Sequence, residues 1–444
     1  MKVLLIQPPI RDFYRTRFRE YPLGLLYIAG SLEKHSIKSQ ILDARKISHA
    51  KTCEIPKNLD YLRNLYTKEN DLFVGYKHFG FSYEKIQKRV CESEPDIVIL
   101  SSMFTPYVNE VIETAKAIKI AKPNITVIAG GHHATNDPDS LLRGGHIDHV
   151  IRGEGENSLA EFLSTPSLHQ VAKNHLIENL DSIPFPARHL IDPDAYTFQK
   201  KRYTMILTSR GCPHRCTFCS VHSVCGHKHR TRSIDNVIAE IEECVERFGI
   251  EVFDFQDDNL LFDKDRIKIL LEKIIAKFGD RIEVMASNGL NVSHLDSKLL
   301  SLMKRAGFKK LDLAIATGKV VSRENLKRPE SVEYYEDVLE TANSLKLPVT
   351  TYIILGIPTQ PLSEMIETVD YLKSKKTLIS PSIFYNVPGM DIFEEMKRFE
   401  YTDDHIARRS SAFNNFGLDF TRDDIFKIFL DIRRFNLSTT QKTC

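Results

Sequence analysis

Three cysteines within eight residues, Cys212, Cys216 and Cys219, are the side chains best suited to chemistry in this 444-residue sequence. Their C-x3-C-x2-C spacing follows an apolar run and places three thiolates on one loop. An iron–sulfur cluster normally takes four cysteine ligands. Three ligands on a [4Fe–4S] cluster leave one iron open, much as a catalytic metal site keeps one position free. The spacing therefore predicts a cluster whose open iron binds a substrate or a second cofactor.

The alternatives are a structural zinc site and a disulfide framework. His214 or His222 is a possible fourth zinc ligand, but zinc sites usually come as two Cys/His pairs separated by a longer loop, and no second pair follows. Eight cysteines are sparse for a chain of this length, and no signal peptide precedes the first residues, so we expect a cytoplasmic protein without disulfides. The cysteines outside the loop form no spaced pair, which predicts a single cluster.

The cysteine loop resembles the signature of the radical S-adenosylmethionine (SAM) enzymes. The segment 209–213 (Ser-Arg-Gly-Cys-Pro) and Phe218 before the last cysteine are similar to the version in members with an N-terminal cobalamin-binding domain. The resemblance covers residues 1 to about 390. It implies a [4Fe–4S] cluster, SAM and cobalamin as cofactors, with cobalamin as the methyl donor to an unactivated carbon.

Composition is that of an ordinary globular enzyme. Hydrophobic residues make up 42% and charged residues 27% of the chain, and the length predicts two or three domains. The net charge of +2 has both signs interspersed, which argues against a nucleic-acid-binding face. No apolar run approaches the roughly 18 residues of a membrane span.

The first 160 residues alternate between strand and helix patterns. Continuous apolar runs, typical of parallel strands buried on both faces, lie at 96–100 and 125–129. Further strands are expected at 3–7, 37–42 and 147–151, with helices at 23–35 and 108–121. The pattern predicts an α/β fold with a doubly wound, flavodoxin-like parallel sheet that binds ligands at the carboxyl ends of its strands.

Small and polar residues occupy those carboxyl ends: Ser101, Ser102, Met103, Gly130, Gly131 and Glu154. With the segments 22–25 (Pro-Leu-Gly-Leu) and 153–156 (Gly-Glu-Gly-Glu), they resemble the cobalamin domain of the family, which implies that they contact cobalamin. The D-x-H-x-x-G motif that supplies a histidine to cobalt in other cobalamin proteins is absent. Loop position makes Met103, Phe104 and Tyr107 candidates for the position beneath the cobalt.

A second alternating pattern begins at residue 201, after a proline-interrupted connector. Its candidate strands are 203–208, 251–256, 282–286, 311–316, 349–355 and 379–386. The clearest helix is 234–248, with Ser233 as its N-cap and Gly249 just past its end. Six strand–helix units predict an incomplete parallel barrel, and the resemblance implies a (β/α)6 TIM-like barrel with its chemistry at the strand ends.

The resemblance also implies contacts with SAM. By position, Asp257 would pair with the amino group, Ser287 and Asn288 with the ribose, Arg328 with the carboxylate, and Gly356 with the adenine. Phe218 of the cysteine motif is a further expected cofactor contact. Many relatives have a glutamate where this chain has Ala316, and Thr317 is a partial substitute.

The predicted domains are 1–165 (cobalamin), 166–200 (connector), 201–390 (radical SAM barrel) and 391–444 (a helical segment that closes the barrel). The leading function is C-methylation of a small-molecule, lipid or peptide substrate, with a flavodoxin or ferredoxin as electron donor. The alternatives are a radical cyclase or rearrangement enzyme with the same cofactors, and a non-catalytic iron–sulfur or corrinoid carrier. Methylthiolation of RNA is disfavoured, because no N-terminal cysteine trio and no basic C-terminal module are present.

Overall fold

The computed structural model of the protein describes residues 1–13, 21–46, 50–66, 75–164, 171–318, 324–328, 334–399, 404–417 and 419–441. Its strands are, in chain order, β1 (Lys2–Gln7), β2 (Ile10–Asp12), β3 (Lys38–Asp43), β4 (Lys51–Cys53), β5 (Tyr76–Phe79), β6 (Ile97–Ser101), β7 (Thr126–Gly130), β8 (His149–Gly153), β9 (Val171–His175), β10 (Thr197–Phe198), β11 (Lys201–Ile206), β12 (Ser209–Arg210), β13 (Arg230–Thr231), β14 (Val252–Phe255), β15 (Glu283–Met285), β16 (Leu290–Asn291), β17 (Leu311–Ala316), β18 (Val349–Leu355) and β19 (Leu378–Ile383). Its α-helices are α1 (Leu23–Lys34), α2 (Tyr83–Ser93), α3 (Val108–Ala121), α4 (His132–Asn136), α5 (Pro138–Leu142), α6 (Gly155–Ser164), α7 (His222–Cys225), α8 (Ile234–Phe248), α9 (Lys264–Phe278), α10 (Ser297–Arg305), α11 (Tyr335–Ser344), α12 (Leu362–Lys373), α13 (Phe393–Met396) and α14 (Arg422–Gln441). Within these ranges, no helix is both long and apolar enough to cross a membrane.

The first half of the chain builds a parallel sheet in the order β3-β1-β6-β7-β8-β9. The chain moves from β1 to one neighbour, β3, and then crosses back to the other, β6, so the strand order reverses at β1. Doubly wound sheets bind ligands at such a switch point, beyond the carboxyl ends of the strands. The predicted doubly wound sheet is confirmed. A sixth strand, β9, pairs with β8 and falls within the segment expected to be a connector.

Both faces of this sheet are buried, because successive side chains of a strand point to opposite sides. Leu4 and Ile6 of β1 pack in an apolar cluster with helices α2 and α3. Val3 and Leu5 of the same strand pack in a different cluster with α1. Burial on both sides explains why the central strands β1, β6 and β7 are continuous apolar runs rather than alternating ones.

The second half builds the barrel from two parallel groups, β11-β14-β15 and β16-β17-β18-β19. An isolated parallel bridge between Val284 and Phe308 connects the groups. The six predicted barrel strands correspond to β11, β14, β15, β17, β18 and β19, so the predicted partial barrel is confirmed. Helix α8 has the expected ends, since Ser233 Oγ accepts a hydrogen bond from Asn236 N at 3.2 Å and Gly249 has a φ of +61°.

The segment 183–188 packs between the two halves. Ile183 belongs to an apolar cluster that joins α1 to β11. Gly30 of α1 permits the close approach, because an added Cβ would lie 2.5 Å from the carbonyl oxygen of Phe185. This contact holds the sheet against the barrel wall. The boundary expected between residues 165 and 166 lies outside the described residues.

The C-terminal segment covers β19, the edge strand of the barrel. The amide of Asn436 in α14 donates to Ile379 O at 2.7 Å and accepts from Ile379 N at 3.0 Å, as a neighbouring strand would. Ser410 Oγ accepts from Ile383 N at 2.8 Å. Exposed edge strands invite pairing with other chains, and these contacts occupy Ile379 N, Ile379 O and Ile383 N of β19.

Candidate active site

The cysteine loop, residues 211–229, is closed at its base by the antiparallel pair β12 and β13, which sets Arg210 opposite Arg230. Gly211 then turns the chain with a φ of +83°, in the left-handed region that favours glycine. An added Cβ at this position would lie 2.4 Å from the carbonyl oxygen of Lys228. The turn therefore requires glycine immediately before the first cysteine.

Cys216 is buried, and Cys212 and Cys219 are half-buried. The backbone N–H of Cys219 donates to Cys216 O at 3.0 Å, and Asn259 Nδ2 lies 3.9 Å from Cys212 Sγ. Burial raises the pKa of the Cys219 thiol to about 11, and the charge of Asp258 adds to the effect. Such a thiol keeps its proton at neutral pH until a metal displaces it, so cluster binding here is coupled to proton release.

Among the described residues, no three His, Cys, Asp or Glu side chains gather around one point as they would around a single metal ion. A structural zinc site needs four ligands at one tetrahedral ion. An iron–sulfur cluster instead spreads its cysteine ligands over several irons. No disulfide joins the cysteines in the described ranges, and Cys444 lies outside them.

The two aspartates after β14 have different neighbours. The carboxylate of Asp257 accepts hydrogen bonds from Thr208 Oγ1 at 2.7 Å and Ser209 Oγ at 2.5 Å, and from the N–H of Thr208 at 3.1 and 3.2 Å. Asp258 accepts from Gly211 N at 2.8 Å and lines the cavity between the two halves. Burial raises the pKa of Asp258 to about 6. Asp257 thus supports the start of the cysteine loop, whereas Asp258 faces space that a ligand can occupy.

Ser287 and Asn288 also differ in what they face. The Ser287 hydroxyl donates to Asp254 Oδ2 at 2.6 Å and accepts from Gln256 Nε2 at 2.8 Å. Asn288 Nδ2 donates to the Asp257 carbonyl oxygen at 3.0 Å, and the residue lines the same cavity as Asp258.

This first cavity has a volume of about 390 Å³ and lies between the carboxyl ends of the first sheet and the mouth of the barrel. Of the residues predicted to contact cobalamin, those that line it are Ser101, Met103, Gly130, Gly131 and Glu154. Ser102 lies just behind, and its hydroxyl is buried without a hydrogen-bond partner. Gly131 has a φ of +122°, and an added Cβ would lie 2.8 Å from Ser102 O.

The candidates for the position beneath cobalt separate clearly. Met103 lines the first cavity and is 42% exposed. Tyr107 is buried, and its hydroxyl donates to Asp12 Oδ2 at 2.7 Å. The ring of Phe104 packs edge-on against that of Tyr107 at 6.1 Å. Met103 is therefore the candidate of the three that faces the cavity.

A second cavity, of about 710 Å³, lies beside the inner face of β17, β18 and β19 and is covered by the C-terminal segment. Phe218 and Arg328, two of the predicted SAM contacts, both line it. The Arg328 guanidinium carbon lies 6.0 Å from the centre of the Phe218 ring, and Arg328 Nη2 donates to Ala314 O at 3.0 Å. Ala316 also lines this cavity, so the missing glutamate leaves open space there.

Thr317 and Gly356 have neighbours other than those expected of SAM contacts. The Thr317 hydroxyl is fully buried and donates to Glu364 Oε1 at 2.5 Å. Gly356 N donates to Met365 Sδ at 3.1 Å, and an added Cβ at Gly356 would lie 2.9 Å from Ile425 of α14. Both residues thus connect the ends of barrel strands to the helices outside them.

Two sequence families match the chain: the Radical SAM superfamily over residues 206–372 and the B12 binding domain over residues 15–163. Cytidylyl-2-hydroxyethylphosphonate methyltransferase from Streptomyces wedmorensis is 27% identical, over 90% of this chain and 83% of its own length. Hopanoid C-3 methylase from Methylococcus capsulatus is 25% identical, over 80% and 64%. The radical SAM methyltransferase TsrM from Kitasatospora setae, solved with cobalamin and a [4Fe–4S] cluster, superposes with a TM-score of 0.65 at 16% identity, over 89% of this chain and 74% of its own. The chain belongs to the cobalamin-dependent radical SAM enzymes.

The predicted family, fold class and enzyme class are confirmed, as are the three cofactors: a [4Fe–4S] cluster, SAM and cobalamin. The residues present suit these groups. Three thiols share the cysteine loop, and an apolar cavity edged by glycines and the unpartnered Ser102 hydroxyl lies beside the sheet. The assignment of individual side chains to each cofactor stays a prediction.

For this radical SAM enzyme, the sequence missed several residues that shape the site. Arg210, Tyr27 and Gln256 line the first cavity with Asp258. The Arg210 guanidinium carbon lies 5.2 Å from the centre of the Tyr27 ring. The sequence did offer a signal for Arg210, because this residue lies two positions before Cys212 in the segment 209–213 that resembles the family motif. Tyr27 had none, because it occurs in an ordinary amphipathic helix.

Proposed function

We propose that this protein methylates an unactivated carbon of a small molecule that carries an anionic group. The observation that supports an anionic substrate is the positive charge of the second cavity. Among the described residues that line it, Arg328 and Arg433 are the charged ones, and no Asp or Glu occurs. Its other polar lining residues are Ser380, Ser382, Ser410, Ser411, Tyr66, Tyr352 and Asn436. Guanidinium groups with hydroxyls favour a carboxylate or a phosphoryl group.

The protein's own residues hold and shield the cofactors. Cys212, Cys216 and Cys219 would ligate the cluster, and Phe218 with Arg328 would hold SAM beside it. When bound, the reduced cluster and SAM supply a radical that removes a hydrogen atom from the substrate, and cobalamin supplies the methyl group. The mainly apolar cavity between the two halves excludes water from this chemistry. We propose a cytoplasmic flavodoxin or ferredoxin as the reductant.

Relatives are consistent with methylation but differ in substrate polarity. By their names, the Streptomyces relative methylates a cytidylyl phosphonate and the Methylococcus relative methylates a hopanoid. Because Arg328 is assigned to SAM, Arg433 is the cation that the described lining offers to a substrate anion. With no Asp or Glu in that lining, it favours the former kind of substrate over an apolar lipid. Anionic small molecules are therefore the first group to test.

A second candidate function is radical cyclisation. Three of the relatives are anaerobic magnesium-protoporphyrin IX monomethyl ester cyclases, at 21 to 23% identity. Product mass separates the two functions, because methylation adds one CH2 to the substrate and ring closure adds no carbon. A non-catalytic carrier would bind the cluster or the corrinoid without cleaving SAM.

The test uses protein reconstituted without oxygen with iron, sulfide and cobalamin, then incubated with dithionite and SAM. Mass spectrometry follows 5′-deoxyadenosine and any methylated product, with cytidylyl-2-hydroxyethylphosphonate, simple carboxylic acids and an uncharged hopanoid as trial substrates. We expect deoxyadenosine, a retained corrinoid spectrum and methylation confined to anionic compounds. Methylation of the hopanoid alone would overturn the substrate class. A full cluster without deoxyadenosine would overturn the catalytic function.

Arg433→Met tests the role of the second cavity, with Arg434→Met as the matched control. Arg434 is the next residue of α14 but is exposed and does not line the cavity. Loss of a charged partner at a bidentate site lowers kcat/KM for an anionic substrate by about tenfold or more. We expect that loss only in Arg433→Met, with substrate-free deoxyadenosine formation unchanged. Equal kcat/KM in both variants would contradict the proposed anion site.

A further inference from the structure

A buried ion network joins the first sheet to the base of the cysteine loop. Arg230 Nη1 and Nη2 donate to the two carboxylate oxygens of Glu154 at 2.8 and 2.7 Å. Arg210 Nη2 donates to Glu156 Oε1 at 2.5 Å, and Arg210 Nη1 lies 3.4 Å from Glu154 Oε1. The two acids follow β8 of the sheet. Arg210 lies in β12 and Arg230 lies in β13. Each half of the chain thus contributes two of the four charges.

The network is withdrawn from water and its charges are matched. Exposure is 4% for Glu154, 6% for Glu156, 8% for Arg210 and 3% for Arg230. Burial alone raises the pKa of Glu156, but the Arg210 guanidinium outweighs it, and the net pKa is lowered. Glu156 therefore stays ionised at neutral pH. A buried pair of this kind holds its partners in one geometry, because breaking it leaves an uncompensated charge.

The same side chains lie next to both cofactor sites. Glu154, Glu156 and Arg210 line the first cavity. Arg210 also precedes Gly211, whose fixed turn leads directly into Cys212. The network is thus separated from the first cluster ligand by a single glycine, and it forms part of the wall that faces the carboxyl ends of the sheet.

Further bonds tie the network to backbone on both sides. Arg230 Nη1 donates to Ile177 O at 2.5 Å, and Arg230 Nη2 donates to Cys225 O at 2.8 Å. Glu154 Oε2 accepts from Ile177 N at 2.6 Å. The far end of the cysteine loop is therefore held against the same residues as its start.

We infer that Glu154, Glu156, Arg210 and Arg230 are positioning residues that set the distance between the corrinoid and the iron–sulfur cluster. Their charged groups bind one another and nearby backbone. This inference rests on the family's cofactors and not on the substrate class proposed above. SAM cleavage depends on the cluster and SAM alone, whereas methyl transfer from SAM to the corrinoid requires the two halves in register. Loosening the network affects the second reaction far more than the first.

The test compares Glu156→Gln and Arg210→Lys with Lys228→Met as control. Lys228 pairs with Glu178 at 2.5 Å near the same loop, but both side chains are more than half exposed, and such pairs contribute little. Hydrogen–deuterium exchange is measured first on each full chain without cofactors. We expect residues 153–164 and 209–230 to exchange faster in the two network variants than in the natural protein. In the control, we expect their exchange to be unchanged.

Two rates are then measured on the reconstituted proteins: 5′-deoxyadenosine formation, and methylation of the reduced corrinoid by SAM followed by its absorption spectrum. We expect Glu156→Gln to keep deoxyadenosine formation within about threefold and to lose at least tenfold in corrinoid methylation. Arg210→Lys, which keeps the charge but not the fork geometry, should retain more methylation. Equal loss of both rates, unchanged methylation per bound corrinoid, or lost methylation without faster exchange would overturn the inference.

If Glu156→Gln does not fold, Glu154→Gln and Arg210→Lys provide the same comparison. The results that would contradict this inference differ from those that would contradict the proposed substrate class. A wrong substrate class alters which compounds are methylated but leaves corrinoid methylation, measured without substrate, unchanged.

Discussion

Gly211 sets the direction in which the chain enters the cysteine loop. Its φ of +83° is unfavourable for other residues, and an added Cβ would lie 2.4 Å from Lys228 O and 2.9 Å from Cys225 O. Both obstacles are backbone atoms of the loop itself, so they cannot rotate away as a flexible side chain would. A larger residue must displace the loop that carries the cluster ligands.

Gly211→Ala is therefore expected to lose most of its cluster after reconstitution, measured as bound iron and as the electron paramagnetic resonance signal of the reduced protein. Gly145→Ala is the matched control. Gly145 has a φ of +67° but no heavy atom within 4 Å of an added Cβ, so it reports the backbone strain alone, about 1 kcal/mol. Full iron content in Gly211→Ala would show that the loop adapts.

The acidic pair after β14 shows what sequence can and cannot resolve at this scale. The position of the pair at a strand end predicted that both residues belong to the site. Which of the two contacts a ligand depends on the direction of each side chain, and the sequence does not give that direction. In the structure, the hydroxyl groups of Thr208 and Ser209 donate hydrogen bonds to the carboxylate of Asp257, whereas Asp258 lines the first cavity. Thr208 and Ser209 lie 49 and 48 positions from Asp257 in sequence, so no local pattern reveals these hydrogen bonds.

Asn436 illustrates how one helix completes the barrel. Its amide binds both backbone groups of Ile379 on the edge strand β19, at 2.7 and 3.0 Å. Replacing it removes two hydrogen bonds and leaves an edge N–H and a carbonyl without their partner, at a cost of about 1–3 kcal/mol. The edge also becomes available to other chains.

We expect Asn436→Leu to lower the unfolding temperature and to increase aggregation on heating, followed by calorimetry and light scattering. Asn436→Asp keeps the hydrogen-bond acceptor but loses the donor. Its unfolding temperature should therefore lie between those of Asn436→Leu and the natural protein. A control is Ser438→Ala on the same helix, whose hydroxyl is exposed and bonds only within α14. An unchanged unfolding temperature in Asn436→Leu would show that apolar packing alone holds α14 on the barrel.

Elements with strong apolar periodicity were predictable, and the short polar ones were not. Helix α8 (Ile234–Phe248) has the predicted ends because an N-cap serine and a C-terminal glycine are local signals. The small antiparallel sheet of β2, β5 and β4 was missed. Its strands have at most four residues each and mixed polarity, and their pairing depends on contacts distant in sequence.

At the scale of the whole molecule, the C-terminal segment binds the first domain as well as the barrel. Arg409 Nη1 lies 3.3 Å from Asp12 Oδ1, and Ser411 Oγ donates to the same oxygen at 2.9 Å. The Tyr66 hydroxyl donates to Ser411 O at 2.5 Å. These partners are more than 340 positions apart in sequence, which explains why the sequence indicated a closing segment but not what it closes against.

Glu110 of helix α3 lies beside this junction, 3.6 Å from the guanidinium of Arg11. The side chain is 2% exposed. Burial raises the pKa of Glu110 from 4.5 to about 8, although the Arg11 charge acts in the opposite direction. The unfolded chain ionises this carboxyl near its ordinary value, and the folded protein holds the proton up to about pH 8.

Between pH 5 and 8 the folded state therefore binds more protons at this site than the unfolded state, so the contribution of Glu110 to stability falls as pH rises. The slope is at most about 1.4 kcal/mol per pH unit. Glu110→Gln removes this term, and we expect its unfolding temperature relative to the natural protein to increase from pH 5 to pH 8. A parallel pH dependence in the Glu110→Gln and natural proteins would mean that Arg11 keeps the carboxylate ionised, and that the junction between the first domain and the C-terminal segment carries a full ion pair.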